Sequence, residues 1–123
     1  MLDTAKLMAF IPTRDADRAR PFYETALALR FLSDDGFALN FETAGLMLRV
    51  VRVGDFSPHP FTILGWTVPD IDSAVADLAS RGVQFLRIQG MQQDPTGVWT
   101  APGGAKVAWF KDPDGNTLSI SQH

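Results

Sequence analysis

The chain has 123 residues, no cysteine and a formal net charge of −3 at pH 7. Without cysteine it can form no disulfide, no zinc–thiolate site and no thiolate nucleophile. Lysine and arginine are scattered rather than clustered, which argues against nucleic acid as a partner. No apolar run approaches membrane-spanning length, so we expect a cytoplasmic protein that does not bind membranes.

The first half of the chain predicts a strand, a helix and three further strands. An apolar run at residues 6–13 is long enough for one buried strand. Apolar residues then recur at helical spacing over 16–29, with Asp15 or Asp17 as the N-cap. Pro21 interrupts this pattern, so the regular helix should start close to Pro21 or be kinked there. Strands are predicted at 29–32, 37–41 and 46–53.

The second half repeats this order. Residues 55–60 are polar and contain two prolines, which is typical of a short linker. An apolar run at 61–68 is followed by an amphipathic helix that Asp70 opens and Gly82 ends as a left-handed cap. Strands are predicted after it at 83–88, 98–100, 107–110 and 117–121.

A short motif supports the repeat. The pattern Asp-x-Asp-x-Ala occurs at 15–19 and again at 70–74, at the start of each predicted helix. The chain therefore predicts a duplicated βαβββ unit within a single domain, residues 1–123. Module one covers about residues 5–54 and module two about residues 61–123, joined by the linker.

Three segments resemble one family. Asp-Pro-Asp-Gly-Asn at 112–116 lies between two β-prone runs and predicts a hairpin turn, in which the Asp side chains bond backbone amides. It resembles the closing hairpin of the vicinal oxygen chelate superfamily, which includes glyoxalase I, bleomycin-resistance proteins and extradiol dioxygenases. Phe-Tyr at 22–23 with Leu-Ala-Leu at 27–29 resembles the end of the family's first helix, with Ala28 in place of the usual glycine. Val-Pro-Asp-Ile-Asp at 68–72 resembles the start of its second helix.

This resemblance covers nearly the whole chain and implies an architecture. The expected fold is α+β: two βαβββ modules form a curved eight-stranded mixed sheet around a pocket, with the helices on its outer face. The resemblance also implies a homodimer, because family pockets are usually completed across a two-fold axis or by swapped halves.

Family enzymes hold one divalent metal on four strand positions. Carried over one at a time, these positions fall on Met8, Arg49, Ile63 and Ser119, with Leu48 as the alternative to Arg49 if the register slips by one. Thioether, guanidinium, alkyl and hydroxyl groups do not make a site for a hard or borderline divalent ion. We therefore expect no metal and no other cofactor.

Strand alternation adds side chains to the predicted pocket. Phe10 joins the pocket position of the first strand, while Leu7 and Ile11 pack under the helix. Trp109 lies where fosfomycin-resistance relatives place a pocket aromatic, and Trp99 is on a neighbouring strand. The predicted ligand-binding residues are Met8, Phe10, Arg49, Ile63, Thr67, Trp99, Trp109, Thr117 and Ser119.

Each of these residues also has a purely structural interpretation. Trp99 can belong to the core, and Thr117 and Ser119 can be ordinary strand residues of a solvated face. Arg49 can lie at a sheet edge in water, or pair with a carboxylate of a second subunit. His59, between two prolines, lacks a partner at ligand spacing and is expected to be solvated or structural.

The residues favour a small-molecule binding protein, similar to the bleomycin-resistance branch, which lacks the metal ligands. The ligand would be aromatic or apolar, and anionic if Arg49 faces the pocket. One alternative is an enzyme of the same superfamily, a glyoxalase-type lyase, an isomerase or a dioxygenase, either metal-free or with an unrecognised metal site. Another is a dimerisation or regulatory module. Fold alone does not decide between them.

Overall fold

Eight strands and two α-helices follow each other along the chain in two copies of the same order. The computed structural model describes residues 1–123 and divides them into unit 1, Met1–Ser57, and unit 2, Pro58–His123. The boundary between the units falls within the predicted linker. Neither helix is long and apolar enough to span a bilayer.

Unit 1 is one βαβββ module. Its elements are β1 (Met8–Thr13), α1 (Ala16–Pro21), β2 (Arg30–Asp34), β3 (Ala38–Thr43) and β4 (Leu46–Arg52), with a 3₁₀ turn at Leu2–Thr4 and a π-helical turn at Phe22–Ala26. The strands form one sheet in the order β1-β4-β3-β2. Strand β1 runs parallel to β4, and the other neighbours are antiparallel.

Unit 2 has the same topology. Its elements are β5 (Thr62–Thr67), α2 (Ile71–Ser80), β6 (Trp99–Thr100), β7 (Lys106–Lys111) and β8 (Thr117–Gln122). The strand order β5-β8-β7-β6, with β5 parallel to β8, repeats that of unit 1 element by element. The predicted α+β class and the two βαβββ modules are confirmed, and the eight strands form two four-stranded sheets.

The first helix begins directly after Asp15, one of its two predicted N-caps, and not near Pro21. Asp15 is its N-cap and accepts a hydrogen bond from the Arg18 amide at 3.3 Å, so the helix starts at Ala16, before Pro21. After Pro21 the hydrogen bonding widens into the π-helical turn Phe22–Ala26. A proline has no N–H to donate, so it falls where the α pattern changes, not at the start of the helix.

Ala28 follows this turn with a φ of +57°, in the left-handed region. The residue that ends a helix in this conformation is usually glycine, because a Cβ is penalised there. The family pattern has glycine at this position, and the backbone conformation gives the physical reason. Gly82 ends α2 in the same way, with a φ of +93°, as predicted.

The strand predicted directly after α2 does not form. One isolated bridge at Phe85 joins this segment to β7. The side chain of Gln93 takes the place of a neighbouring strand, since its nitrogen donates to the Leu86 carbonyl at 2.8 Å and its oxygen accepts from the Ile88 amide at 2.7 Å. The backbone groups are satisfied in this way without a strand ladder.

Each sheet buries one face against its helix. The largest buried side chains of unit 1 are Ile11, Tyr23, Leu39, Phe41, Leu48 and Val50, and those of unit 2 are Ile71, Phe110 and Leu118. Successive strand residues point to opposite sides, so each sheet has a second face that is not packed on the helix. Leu7 is 74% exposed, which corrects its predicted place under the helix. It precedes β1, so strand alternation does not apply to it.

A buried aspartate closes the β7–β8 hairpin. Asp112 is 5% exposed. One side-chain oxygen accepts from the amides of Asp114 at 3.0 Å and Asn116 at 2.9 Å, and the other accepts from the Asn116 side chain at 2.9 Å. Gly115 has a φ of +89°, as the turn requires. The predicted turn-forming role of Asp112 is confirmed.

We predict that Ala28→Gly stabilises the protein by about 0.5–1 kcal/mol, because glycine adopts a positive φ without the Cβ penalty. The matched control is Ala26→Gly, two residues earlier in the π-helical turn and without a positive φ, which should destabilise by a similar amount. Urea denaturation of both variants measures the two changes. Destabilisation by Ala28→Gly would show that the left-handed conformation is not costly here.

We predict that Asp112→Ala destabilises the protein by roughly 2–4 kcal/mol, because three hydrogen-bond donors at a buried turn lose their acceptor. The control Asp77→Ala removes a carboxylate that is 61% exposed on α2 and should cost no more than about 0.5 kcal/mol. Urea midpoints give both values. Equal midpoint shifts for the two variants would contradict the role assigned to Asp112.

Candidate functional site

Three predicted site residues lie on the open face of unit 1, the side of its sheet opposite α1. The parallel pairing of β1 with β4 sets Met8 beside Met47 and Phe10 beside Arg49. Met8 and Phe10 are 43% and 62% exposed. An apolar surface therefore flanks the guanidinium of Arg49, whereas Leu48 is fully buried on the core side.

Hydrogen bonds to two neighbouring residues, Asp35 and Asn40, hold the guanidinium of Arg49. Its Nη1 donates to a carboxylate oxygen of Asp35 at 2.9 Å and to the amide oxygen of Asn40 at 2.9 Å. Asn40 donates in turn to the same Asp35 oxygen and to the Ser33 hydroxyl, both at 3.1 Å. Arg49 thus has a counterion within its own chain, and Nη2 and Nε are not used in this network.

The β2–β3 turn supplies two carboxylates that stay ionised. Hydrogen bonds from Asn40 and from two backbone amides hold the pKa of Asp35 well below its usual range. Two bonds from Arg52, each 2.8 Å long, lower the pKa of Asp34 to about 2. Because Asp35 is ionised at neutral pH, it balances the charge of Arg49 locally.

The open face of unit 2, the side of its sheet opposite α2, carries one row of small and aromatic residues. Trp109 pairs with Ser119, and Ser119 pairs with Gly65. A Cβ at Gly65 would lie 2.6 Å from the Ser119 hydroxyl oxygen, so a larger residue there would require this hydroxyl to move. Thr67, two residues after Gly65 and on the same face, pairs with Ser121.

Two tryptophans lie together on this open face. Trp99 pairs with Val107 and lies beside Trp109, with the ring centroids 6.1 Å apart and the planes at 38°. Both side chains are partly exposed. The third tryptophan, Trp66, pairs with the buried Ile120 and belongs to the core side.

The two remaining predicted residues lie near the hairpin end of the sheet. Thr117 pairs directly with Lys111 across β7 and β8 and is 8% exposed. Ile63 lies where the register of β5 shifts between Thr62 and Leu64. Simple alternation counted from the sequence does not give its direction, because the extra residue is unpaired at such an irregularity.

Two clefts in unit 2 are lined in part by predicted site residues. The Trp99 cleft has a volume of about 530 Å³ and is lined by Gly90, Gln92, Asp94, Val98, Trp99, Thr100 and Lys106. The hairpin cleft has a volume of about 470 Å³ and is lined by Pro58, His59, Pro60, Leu86, Ile88, Lys111, Gly115 and Thr117. Unit 1 has a smaller cleft of about 280 Å³ that Met8 and Met47 help to line.

The residues that the resemblance places at the family's metal positions do not fit a divalent ion. A thioether, a guanidinium bound to Asp35, an alkyl chain and a hydroxyl stand at these four positions, Met8, Arg49, Ile63 and Ser119. The structure also contains no group of three or more His, Asp or Glu side chains arranged to hold a metal. This donor set supplies no hard anionic ligand at these positions.

Four residues beside the predicted ones are absent from the predicted set. Asp35 and Asn40 hold Arg49, and Lys111 and His59 line the hairpin cleft. The Asp-Asp-Gly sequence at 34–36 signals a turn, and only the folded register shows that Asp35 reaches β4. Lys111 could have been found by alternation, since it is two residues from Trp109 on the same strand.

The chain is similar to known proteins in both sequence and structure. The family model of the Glyoxalase/Bleomycin resistance protein/Dioxygenase superfamily matches residues 5–120. No match was found among the curated proteins.

Solved structures share the fold over almost their full lengths. A superfamily member from Sphaerobacter thermophilus DSM 20745 is 22% identical, with both chains fully covered and a TM-score of 0.77. TnmS3, an antibiotic binding protein from Streptomyces sp. CB03234, is 25% identical, with 99% of this chain and 98% of that chain covered and a TM-score of 0.71. Lactoylglutathione lyase from Agrobacterium tumefaciens is 16% identical, with 97% and 93% covered and a TM-score of 0.70.

The family model covers nearly the whole sequence, and the topology of both modules agrees with these structures. The chain belongs to the Glyoxalase/Bleomycin resistance protein/Dioxygenase superfamily.

Proposed function

We propose that this protein binds aromatic or apolar small molecules on the open face of unit 2 and does so without the family metal. The observation that carries the proposal is the pair Trp99 and Trp109, partly exposed and 6.1 Å apart on the open side of the sheet. Stacking of one aromatic ring contributes roughly 0.5–1.5 kcal/mol beyond the area it buries.

The row next to Trp109 suits a bound molecule. Gly65 leaves room for the Ser119 hydroxyl, and Ser119 and Thr67 place hydroxyls on the same open face. A few convergent polar groups on a mainly apolar surface are typical of small-molecule sites, because they orient the ligand. We assign the hydroxyls this orienting role.

In unit 1, Met8 and Phe10 give a second apolar surface, and Arg49 lies beside it. Because Asp35 balances its charge, Arg49 attracts a free anion less strongly than an unpaired cation would. Its unused Nη2 and Nε can still donate to a carbonyl or carboxylate oxygen. We therefore propose that Arg49 donates hydrogen bonds to polar groups of a molecule bound on this surface of unit 1.

Superfamily membership supports small-molecule binding, and the structural relative TnmS3 is an antibiotic binding protein. The donor set at the family's metal positions argues against a metal-dependent lyase or dioxygenase reaction. The similarity to lactoylglutathione lyase, at 16% identity, concerns the fold only. Binding is thus the function that the residues support best.

We expect the neutral fluorescent probe N-phenyl-1-naphthylamine to bind wild-type protein and to quench tryptophan emission. Trp99→Leu and Trp109→Leu should each weaken binding about five- to thirtyfold, because each removes one stacking surface worth roughly 1–2 kcal/mol. Trp66→Phe is the control and should leave the affinity within twofold, because Trp66 faces the core. Unchanged affinity in both leucine variants would contradict the proposal.

We also propose that the protein is a homodimer. Unit 1 exposes other large apolar side chains, including Leu7 at 74% and Phe37 at 77%. Exposed apolar surface of this kind marks interfaces in small proteins. Sedimentation equilibrium should give twice the mass of one chain, and Leu7→Glu should shift the protein toward monomer more than the adjacent change Lys6→Glu. A monomer at about 100 µM would contradict the proposal.

A further inference from the structure

The hairpin cleft combines apolar walls with basic and hydroxyl groups. Leu86 and Ile88 supply the apolar side, and Lys111, Thr117 and His59 supply polar groups. A cleft of this composition matches a molecule with an apolar body and one anionic group, because the two parts need different surroundings.

Lys111 and Thr117 are arranged to act on the same group. They are direct cross-strand partners at the end of β7 and β8, where opposite side chains start about 4.5–5.5 Å apart. Thr117 is 8% exposed, and its hydroxyl has no hydrogen-bond partner within the chain. Because no buried side-chain oxygen lacks a partner, this hydroxyl is accessible, and Thr117 lines the cleft. An ammonium and a hydroxyl so placed can both donate to one oxyanion.

The charge of Lys111 is not balanced within the chain. None of the ion pairs of the protein includes Lys111, whereas Arg49 is paired with Asp35 at 2.9 Å. An unpaired, partly hydrated ammonium attracts an anion without having to release a carboxylate first. Of these two cations, Lys111 is therefore the better anchor for an acid.

The packing of the segment before β5 places His59 at the cleft. Pro58 lies so close to the hairpin turn that a Cβ at Gly115 would be 3.3 Å from the proline Cγ. The ring of His59 stacks on Phe61, with centroids 4.9 Å apart and an angle of 14°. Pro58 and Pro60 restrict the backbone on both sides, which keeps His59 near the cleft entrance.

We propose that the hairpin cleft binds the anionic group of the ligand, through Lys111 and Thr117, and that the ligand is an aromatic or apolar acid. The assignment rests on the proposed function, because the aromatic part is assigned to Trp109. Lys111 is two residues from Trp109 on the same face of β7, so the acid lies about 7 Å from the ring along the strand. Carboxylates, sulfonates and phosphate monoesters share the chemistry that Lys111 and Thr117 recognise.

Two fluorescent probes with the same aromatic body test this assignment. N-phenyl-1-naphthylamine is neutral, and 8-anilinonaphthalene-1-sulfonate carries one sulfonate. We expect Lys111→Met, which keeps the aliphatic stem, to weaken binding of the sulfonate probe about three- to tenfold at low salt. The neutral probe should change by less than twofold. The control Arg18→Met removes one exposed positive charge on α1 and should alter neither affinity, whereas Lys106→Met tests the Trp99 cleft, which Lys106 lines.

Salt and the hydroxyl give independent readouts. Raising NaCl from 20 to 500 mM should weaken binding of the sulfonate probe to wild-type protein and have little effect on Lys111→Met, because the screened attraction is already lost. Thr117→Val should weaken binding of the sulfonate probe about two- to threefold, because the hydroxyl donor is lost. Both effects would be absent if the sulfonate did not contact this cleft.

The outcomes separate the assignment from the proposed function. If neither probe binds, both are overturned. If the neutral probe binds through Trp109 but Lys111→Met leaves the sulfonate probe unchanged, only the acid site is overturned. If Lys106→Met, and not Lys111→Met, selectively weakens the sulfonate probe, the anion lies in the Trp99 cleft and the assignment to the hairpin cleft is wrong.

Discussion

Three hydrogen bonds to the side chain of Asp112 fix the turn on which the candidate site depends. This turn sets the register of β7 against β8, and the register places Trp109 opposite Ser119 and Lys111 opposite Thr117. A slip of one residue would move every one of these side chains to the other face of the sheet. The aromatic surface and the basic end of the hairpin thus have a common structural origin in one buried carboxyl group.

Local charge balance distinguishes the two cations considered for ligand binding. Arg49 lies on an open face, but Asp35 and Asn40 hold one of its nitrogens, and hydrogen bonds keep the pKa of Asp35 low enough that it remains a counterion. Lys111 has no such partner. The positive charge of Arg49 therefore acts mainly on Asp35 within the sheet, whereas the positive charge of Lys111 is available to an anion from outside the chain.

Periodicity and turn chemistry predicted most of the fold. The duplicated element order and the hairpin turn both depend on local patterns that a sequence displays, whereas the pocket position of Trp109 was expected from the family resemblance. The side chain of Gln93 bonds backbone groups that a neighbouring strand would otherwise bond, and Asp35 accepts a hydrogen bond from Arg49 on β4. Neither contact has a local signature in the sequence. Ile63 lies at a strand irregularity, so alternation does not give its direction. Long-range side-chain contacts and register shifts could not be predicted from local sequence patterns.

The most direct test of ligand binding on the open face of unit 2 is an NMR titration of ¹⁵N-labelled protein with 8-anilinonaphthalene-1-sulfonate, followed at the three tryptophan indole N–H signals. Single Trp→Phe variants assign the signals. We expect the Trp99 and Trp109 signals to shift together with increasing probe, while the Trp66 signal stays in place because Trp66 faces the core. A titration that moves Trp66 alone, or none of the three, would contradict a ligand-binding surface on the open face of unit 2.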